Sequence, residues 1–460
     1  MADLKSSFLK HSEKVAFDKE HRRKIQFNIG RYDAAVAKGQ KAFVNLEQAR
    51  QRAYSIKHKV LTHLDKYLVE FESNFQRNGG KVIWARDADD AVKEILKLLE
   101  KERIEKVVKS KSMTTEEIEL NHHLEKKKIK VFETDLGEFI VQMAGEKPYH
   151  IVTPAMHKSK EDVAALYHEK FGIAPDSSPE EITAYTRKLL REEFATAGAG
   201  ITGANFLIAD TGSVAITENE GNALLSMALP KLHIVIAGIE KLIPNLEDLD
   251  LFWPLLASYG TGQTMTAYNS VISGPAADGK GPQQMVVILL DNGRTHLLSK
   301  ARQRIALGCI RCGACLNACP VYKNIGGYSY DTTYSGPIGS VITPHLKGMK
   351  NYQHLSFASS ICGACTQVCP VKIPLHDLLL INRNEAVQSE TVSSSDRFLI
   401  KRSTSILNSR KLLDMAGGST KNMVLRYFVA KPWGERRELP VLAKKSFSEL
   451  WKEKMKEENS

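Results

Sequence analysis

The chain has 460 residues, 43% hydrophobic and 25% charged, with 64 Lys/Arg against 53 Asp/Glu for a formal net charge of +11, the composition of a globular protein large enough for two or three domains. No apolar run approaches the roughly 18 residues of a membrane span, and the opening Met1-Ala-Asp-Leu-Lys5 has no signal-peptide core, so a soluble, cytoplasmic protein without a transmembrane segment is expected. The basic excess raises nucleic acid as a partner, but no nucleic-acid motif accompanies it.

Residues 1 to 75 read as a basic helical arm. They include His21-Arg-Arg-Lys24, and in Ala53 to Phe71 apolar residues recur at helical spacing. Nothing in the arm looks catalytic; it suits packing or a partner. From there to residue 298 the pattern is α/β. Lys81–Trp84 reads as a strand, and Val92, Ile95, Leu96 and Leu99 form the apolar stripe of a following helix. A strand at Lys106–Val108 and a loop at Lys109–Ser112 come next. Thr114-x-x-Glu117 reads as a capping box opening a helix to about Lys127. Further strands are expected at Ile129–Glu133, Glu138–Gln142 and His150–Thr153. Strands alternating with helices imply a mainly parallel sheet covered on both faces.

The segment from Thr153 to Ala195 reads as helical, with Ser178 and Pro179 marking a helix start. It leads into Gly198-Ala-Gly200-Ile-Thr-Gly203, which matches G-x-G-x-x-G by letter only. A helix precedes it and a strand, Phe206–Ala209, follows, the reverse of the dinucleotide fingerprint. Asp210-Thr-Gly-Ser213 reads as a hairpin turn, and Glu218-Asn-Glu-Gly-Asn222 leads on to strand Leu232–Ala237. Polar residues at strand ends are a usual place for a small-ligand pocket in an open α/β sheet. Strand Gln284–Leu290 closes the domain. His122 and His123 are adjacent on a helix, about 100° apart, with no further ligand fixed by spacing, and read as a solvated pair.

All seven cysteines lie between Cys309 and Cys369. Cys309-x2-Cys312-x2-Cys315-x3-Cys319-Pro320 is the run with which bacterial ferredoxins hold a [4Fe–4S] cluster, and Cys362-x2-Cys365-x3-Cys369-Pro370 repeats it with Ser359 in place of a first cysteine. Thiolates suit iron because sulfur is soft and anionic. In two-cluster ferredoxins the cysteine before the proline serves the other cluster. By position, then, one cluster takes Cys309, Cys312, Cys315 and Cys369, and the other takes Cys319, Cys362 and Cys365. The iron left without a cysteine binds Ser359 or solvent, or is absent as in a [3Fe–4S] centre. A structural zinc site leaves the third close cysteine and the Cys-Pro endings unexplained. A disulfide framework belongs to small secreted domains. After Pro370 a helix is expected from about Asp377 to Glu385, then a linker or helix cap at Ser393–Asp396. The last 60 residues carry 14 Lys/Arg against 7 Asp/Glu, either a solvated face or a surface for an acidic redox partner or a membrane.

Two stretches resemble the lactate-utilization (LUD) domain: Lys109-Ser-Lys-Ser-Met-Thr-Thr-Glu-Glu-Ile-Glu-Leu-Asn121 and Gly200-Ile-Thr-Gly-Ala-Asn-Phe-Leu-Ile-Ala-Asp-Thr-Gly-Ser213. Joined to the incomplete double ferredoxin run, they resemble the LUD-domain iron–sulfur proteins of lactate utilization across nearly the whole chain. The resemblance implies an α/β fold similar to the ribose-phosphate isomerase and CoA-transferase superfamily, followed by a helical two-cluster ferredoxin-like domain. The expected division is an arm at 1–75, a LUD domain at 76–298, a ferredoxin-type domain at 299–385 and a basic region at 386–460. The resemblance also implies a three-protein system, A, B and C, that oxidises L-lactate to pyruvate, with this chain passing electrons to an unidentified acceptor. Two other readings stand beside that one. The chain could itself bind lactate, for which Lys109, Lys111 and Glu218 are candidates by residue type only, or it could be a non-enzymatic iron–sulfur redox sensor, against which the absence of a DNA-binding motif counts.

Overall fold

A computed structural model of the chain describes residues 4–389, 391, 394–434 and 438–458. Ten strands are numbered in chain order: β1 Lys81–Ala85, β2 Lys106–Lys109, β3 Lys130–Glu133, β4 Ala199–Thr202, β5 Phe206–Ile208, β6 Ser213–Glu218, β7 Leu232–Gly238, β8 Leu242–Ile243, β9 Tyr268–Ile272 and β10 Gln284–Leu290. Six of them form one sheet in the order β1-β10-β7-β4-β2-β3, parallel at every pairing. The other four form a smaller sheet, β8-β5-β6-β9, around the antiparallel β5–β6 hairpin. Gly212 in that hairpin's turn has φ +59°, as the turn requires.

The neighbouring strands β7 and β10 of the large sheet bury apolar residues on both faces, the pattern of a sheet with helices on either side. Val235, Ala237, Val287 and Leu289 face a core shared with Leu68, Phe71 and Phe75 of the arm. Ile234, Ile236, Val286 and Ile288 face the opposite core with Val92, Ile95 and Leu99 of helix Ala88–Lys101. The fold is thus mixed α/β with a parallel sheet, followed by a helical cysteine-bearing region, as the sequence implies.

Three local expectations are corrected. Helix Met113–Glu117 is capped by Ser112, whose Oγ accepts from Thr115 N, and it stops where Glu119 enters the left-handed region at φ 51°; a second helix, Leu120–Lys126, follows. Glu117 is therefore a buried charged residue and not half of a capping box. The strand expected at Glu138–Gln142 is a helix, Leu136–Met143, because the Asp135 side chain accepts from Glu138 N at 3.0 Å and starts a turn there. No strand forms at His150–Thr153, since His150 Nδ1 accepts from the backbone N–H groups of Val152 and Thr153 at 3.1 and 3.2 Å and curls the chain.

The glycine run is part of β4, between helix Pro179–Thr196 and β5. Its second glycine has a packing reason: a Cβ on Gly200 would lie 1.7 Å from the carbonyl oxygen of Ser226 in helix Asn222–Ala228. Gly200→Ala is therefore expected to destabilise the α/β part by about 3 kcal/mol, the upper end of ordinary overpacking, readable as a lower urea midpoint.

The arm is four helices, Leu4–Ala16, Lys19–Gln40, Leu46–Thr62 and Leu64–Arg77. It grips both the sheet and the cysteine region: Lys57 Nζ donates to the carbonyls of Glu240 and Leu242 at 2.7 and 3.0 Å, and Arg50 Nη2 to those of Gln367 and Cys369 at 2.7 and 3.0 Å. Residues 1–386 form one compact unit and residues 387–460 another. The second consists of helices, among them Ser394–Leu407 and Phe447–Glu458, and Asn422 pins a crossing strand of chain by pairing both of its amide atoms with Leu442 at 2.8 Å. Of the expected linker or cap, Ser393 lies outside the described residues and Ser394 opens a helix. Among the described residues no helix is long and apolar enough to cross a membrane.

Candidate iron–sulfur site

The two cysteine runs fold alike. Arg311 and Gly313 are left-handed at φ 62° and 80°, and their counterparts Ile361 and Gly363 are left-handed at φ 54° and 81°. Each glycine starts a short helix, Ala314–Ala318 in the first run and Ala364–Gln367 in the second. The backbone thus curls twice within five residues, which brings closely spaced side chains towards one point. Arg311 N donates to Cys309 Sγ at 3.4 Å, and in the second run Ile361 N donates to Ser359 Oγ at 3.2 Å. Ser359 therefore takes over the position of Cys309, down to the same backbone bond.

Cys309, Cys312, Cys315 and Cys369 line one small cavity, walled otherwise by apolar residues including Ile151, Ile338 and Val371. Cys369 reaches it from 54 residues beyond Cys315. The thiols of Cys319, Cys362 and Cys365 act electrostatically on one another. Burial pushes Cys369 up to about 12 and Cys365 up to about 11, and it raises Cys312, Cys315 and Cys319 as well. Cys362, the exposed one, is lowered by the Ala364 N–H and by Ser360. Bare, most of these thiols stay protonated, and metal is what converts such a set to thiolates. Among the described residues no three His, Cys, Asp or Glu side chains converge as ligands of a single ion must. Thiolates around a cube bind a different iron each and stand further apart. Four sulfurs round one apolar void, with Cys309 and Cys369 also accepting backbone N–H bonds (from Ile373 in the latter case, 3.3 Å), fit an iron–sulfur cluster.

The carboxyl edge of the large sheet faces this region with two buried charge networks. In the first, Arg294 binds Glu117 through both terminal nitrogens at 2.8 Å and Glu240 through Nε at 2.6 Å. Tyr334 and Asn292 donate to the same Glu117 at 2.5 and 2.7 Å. Glu240 also faces Arg311 Nη2 at 3.4 Å, and the Arg311 guanidinium lies 4.4 Å from the centroid of the Tyr334 ring. In the second, Lys109, wholly buried, binds Glu133 at 2.8 Å and Glu116 and Thr115 at 2.9 Å. Beside it Glu138 is buried with neither carboxyl oxygen partnered among the described residues, and burial raises its pKa well above the ordinary value.

This second network opens on a cleft of about 650 Å³ between the sheet edge and residues 327–352. Seven carboxylates (Glu116, Glu119, Glu125, Glu133, Glu138, Glu146 and Asp331) line it against two lysines, Lys147 and Lys347. Ile151 is a wall of both the cleft and the four-cysteine cavity. The lactate candidates are otherwise engaged. Lys109 is held as above, Lys111 Nζ bonds the Val152 carbonyl, and Glu218 accepts from Ala223 N and Leu224 N at 2.7 Å, capping helix Asn222–Ala228. The polar turn at 218–222 is thus a helix cap and not the cleft. His122 lies at the cleft's margin with its ring 5.8 Å from that of His123. Residues 117, 240, 294 and 311 carry no shared motif; the one hint in the sequence was an arginine inside the first cysteine run where the second has isoleucine.

Residues 68–290 match the LUD domain family and residues 305–373 the 4Fe-4S dicluster domain family. With the sheet and the two cysteine groups, this defines a LUD-domain iron–sulfur protein. The chain is 39% identical to lactate utilization protein B of Shouchella clausii over 98% of this chain and 97% of that protein, and 40% identical to that of Bacillus pumilus over 90% of each. Lactate utilization protein B 2 of Bacillus mycoides is 41% identical over 89% of each. The chain belongs to the lactate utilization protein B family. A crystal structure of a DUF162 family protein from Deinococcus radiodurans aligns with 49% of this chain and 98% of its own at 14% identity, with a TM-score of 0.28.

Proposed function

We propose that this chain is the iron–sulfur electron-transfer component of a multi-protein system that oxidises L-lactate to pyruvate. Cys309, Cys312, Cys315 and Cys369 hold one [4Fe–4S] cluster; Cys319, Cys362 and Cys365 hold a second with three cysteine ligands, as [4Fe–4S] or [3Fe–4S]. Conversion of lactate to pyruvate releases two electrons and two protons, and such clusters supply sites that accept electrons one at a time. The observation that carries the reading is that Cys369 of the second run lines one cavity with Cys309, Cys312 and Cys315 of the first, in a chain whose relatives are named for lactate utilization. The A and C proteins of that system are the proposed partners, with an acceptor still to be identified, in the cytoplasm. We propose the arm, LUD and ferredoxin-type parts, 1–75, 76–298 and 299–385, as segments packed within one compact unit, with the basic region at 386–460 following.

The rival, in which this chain binds lactate, has less support. An anionic hydroxy acid entering the cleft meets seven acidic side chains and two lysines, and Lys109 is already matched by Glu116 and Glu133. The test is anaerobic purification with and without the A and C partners, followed by lactate addition. Bleaching of the cluster absorbance is expected only with the partners present. Bleaching of this chain alone would favour the rival.

Metal content is a second expectation. Anaerobic preparations are expected to carry about seven to eight irons per chain, falling to seven or fewer in air as the three-cysteine site loses its unique iron. Stoichiometric zinc without iron would end the reading. Ser359→Ala is expected to leave the EPR spectrum and lactate turnover of the assembled system almost unchanged, because an aliphatic alkoxide forms only under strong metal acidification. Ser359→Cys places a fourth thiol where its serine counterpart already accepts the Ile361 N–H, and is expected to preserve the full iron content in air. Loss of the second centre in Ser359→Ala would instead identify the serine as a ligand.

A further inference from the structure

We infer that Arg311 sets the reduction potential of the centre held by Cys309, Cys312, Cys315 and Cys369, with Glu240 of the LUD domain as its counter-charge. The inference rests on the proposed ligation. The left-handed backbone at this position does not require arginine, since Ile361 adopts the same conformation in the second run; it is the side chain that distinguishes the two.

The Arg311 guanidinium is bounded by the Tyr334 ring at 4.4 Å and by Glu240 at 3.4 Å through Nη2, while its Nη1 is buried without a hydrogen-bond partner among the described residues. A buried, charged donor left unmade is costly. Cluster sulfur is the kind of acceptor at hand: Arg311 lies between Cys309 and Cys312 in the run, and its own backbone N–H already donates to Cys309 Sγ at 3.4 Å. A second arginine, Arg50, bonds the Cys369 carbonyl of the same group.

The three-cysteine group has a different setting. Cys362 is exposed, and Lys323, which acts on Cys319, is 34% exposed in its side chain. Arg383, half-buried, bonds the carbonyls of Ser356 and Ser359. Reduction of a cluster adds one electron, with no bond made or broken. A fixed positive charge close by in a poorly polarisable interior stabilises that electron far more than a solvated one does, so Arg311 favours the reduced state of the first centre selectively.

The experiment is an EPR-monitored redox titration of the full-length chain carrying both centres, with dithionite as reductant. Arg311→Gln is expected to lower the reduction equilibrium constant of the four-cysteine centre at least tenfold, a shift of about 59 mV to more negative potential for one electron. Arg311→Lys, which keeps the charge, is expected to change it less than threefold, and Glu240→Gln to raise it. The second centre moves less than the first in each case. An unchanged first centre in Arg311→Gln, or equal movement of both centres, overturns the inference. Should Arg311→Gln fail to assemble, Glu240→Gln decides: no rise in the first centre overturns it. A Cys369→Ala chain that keeps the first centre overturns the ligation and this inference together, whereas an intact centre indifferent to Arg311 overturns this inference alone.

Discussion

Cys369→Ala abolishes the same spectroscopic centre as Cys312→Ala, although the two residues are 57 apart in sequence, and Cys319→Ala abolishes the centre that Cys365→Ala abolishes. This is the expected result of EPR on the four variants prepared anaerobically. The physical ground is the shared cavity, which the Cys369 thiol lines with those of Cys309, Cys312 and Cys315 and which Cys365, its neighbour in the run, does not line. Removing one thiolate from a fully coordinated cube leaves an iron open to solvent and oxidation. If Cys369→Ala instead removed the Cys365 signal and spared that of Cys312, ligation would follow sequence neighbourhood and the crossed arrangement would be wrong.

Arg294→Met is expected to destabilise the protein by about 3 to 5 kcal/mol, the usual result of removing one partner from a buried ion network. Arg294 is 1% exposed and is shared by two carboxylates, Glu117 and Glu240, both also buried. Without it Glu117 keeps only the neutral donors Tyr334 and Asn292, and Glu240 only the more distant Arg311. A drop in urea midpoint would register the loss, and a change under 1 kcal/mol would show that the network is solvated. Titration offers a second readout. Burial raises the Glu117 pKa, but Arg294, Tyr334 and Asn292 outweigh it and lower it from 4.5 to about 2. A folded-state value below the unfolded one means that this contribution is fully present above about pH 4.5 and is lost as pH falls towards 2. In Arg294→Met that part of the acid sensitivity should disappear.

The parallel core was legible because its strands are bare apolar runs: Leu232–Ala237 and Gln284–Leu290 tolerate no other reading once helices flank them. Shorter segments were ambiguous. Phe139, Ile140 and Val141 suit a strand as well as a helix, and only Asp135 acting as a cap decides for the helix. At 112–117 a serine and a threonine two residues apart competed for the cap, and the choice turned Glu117 from a helix-end residue into a buried partner of Arg294. The cysteines could be read because their chemistry is written in local spacing. The charges around them could not, since Glu117, Glu240, Arg294 and Arg311 meet only when the sheet edge and the first cysteine run are folded against each other. Lys109 shows the limit from the other side: by type it suited a substrate carboxylate, but its three protein partners are fixed by tertiary contacts.

The reach of Cys369 back to Cys309 also sets an order of events during synthesis. A chain growing at roughly 5–20 residues per second exposes the first three cysteines of the four-thiol cavity several seconds before the fourth exists. By then the arm and the whole sheet have been made, and Arg50, which grips the Cys369 carbonyl at 3.0 Å, has been waiting for more than 300 residues of chain. Iron delivered early meets only an incomplete, oxygen-exposed set of thiols. The arrangement therefore favours loading after translation has passed Pro370, onto a scaffold that is already folded.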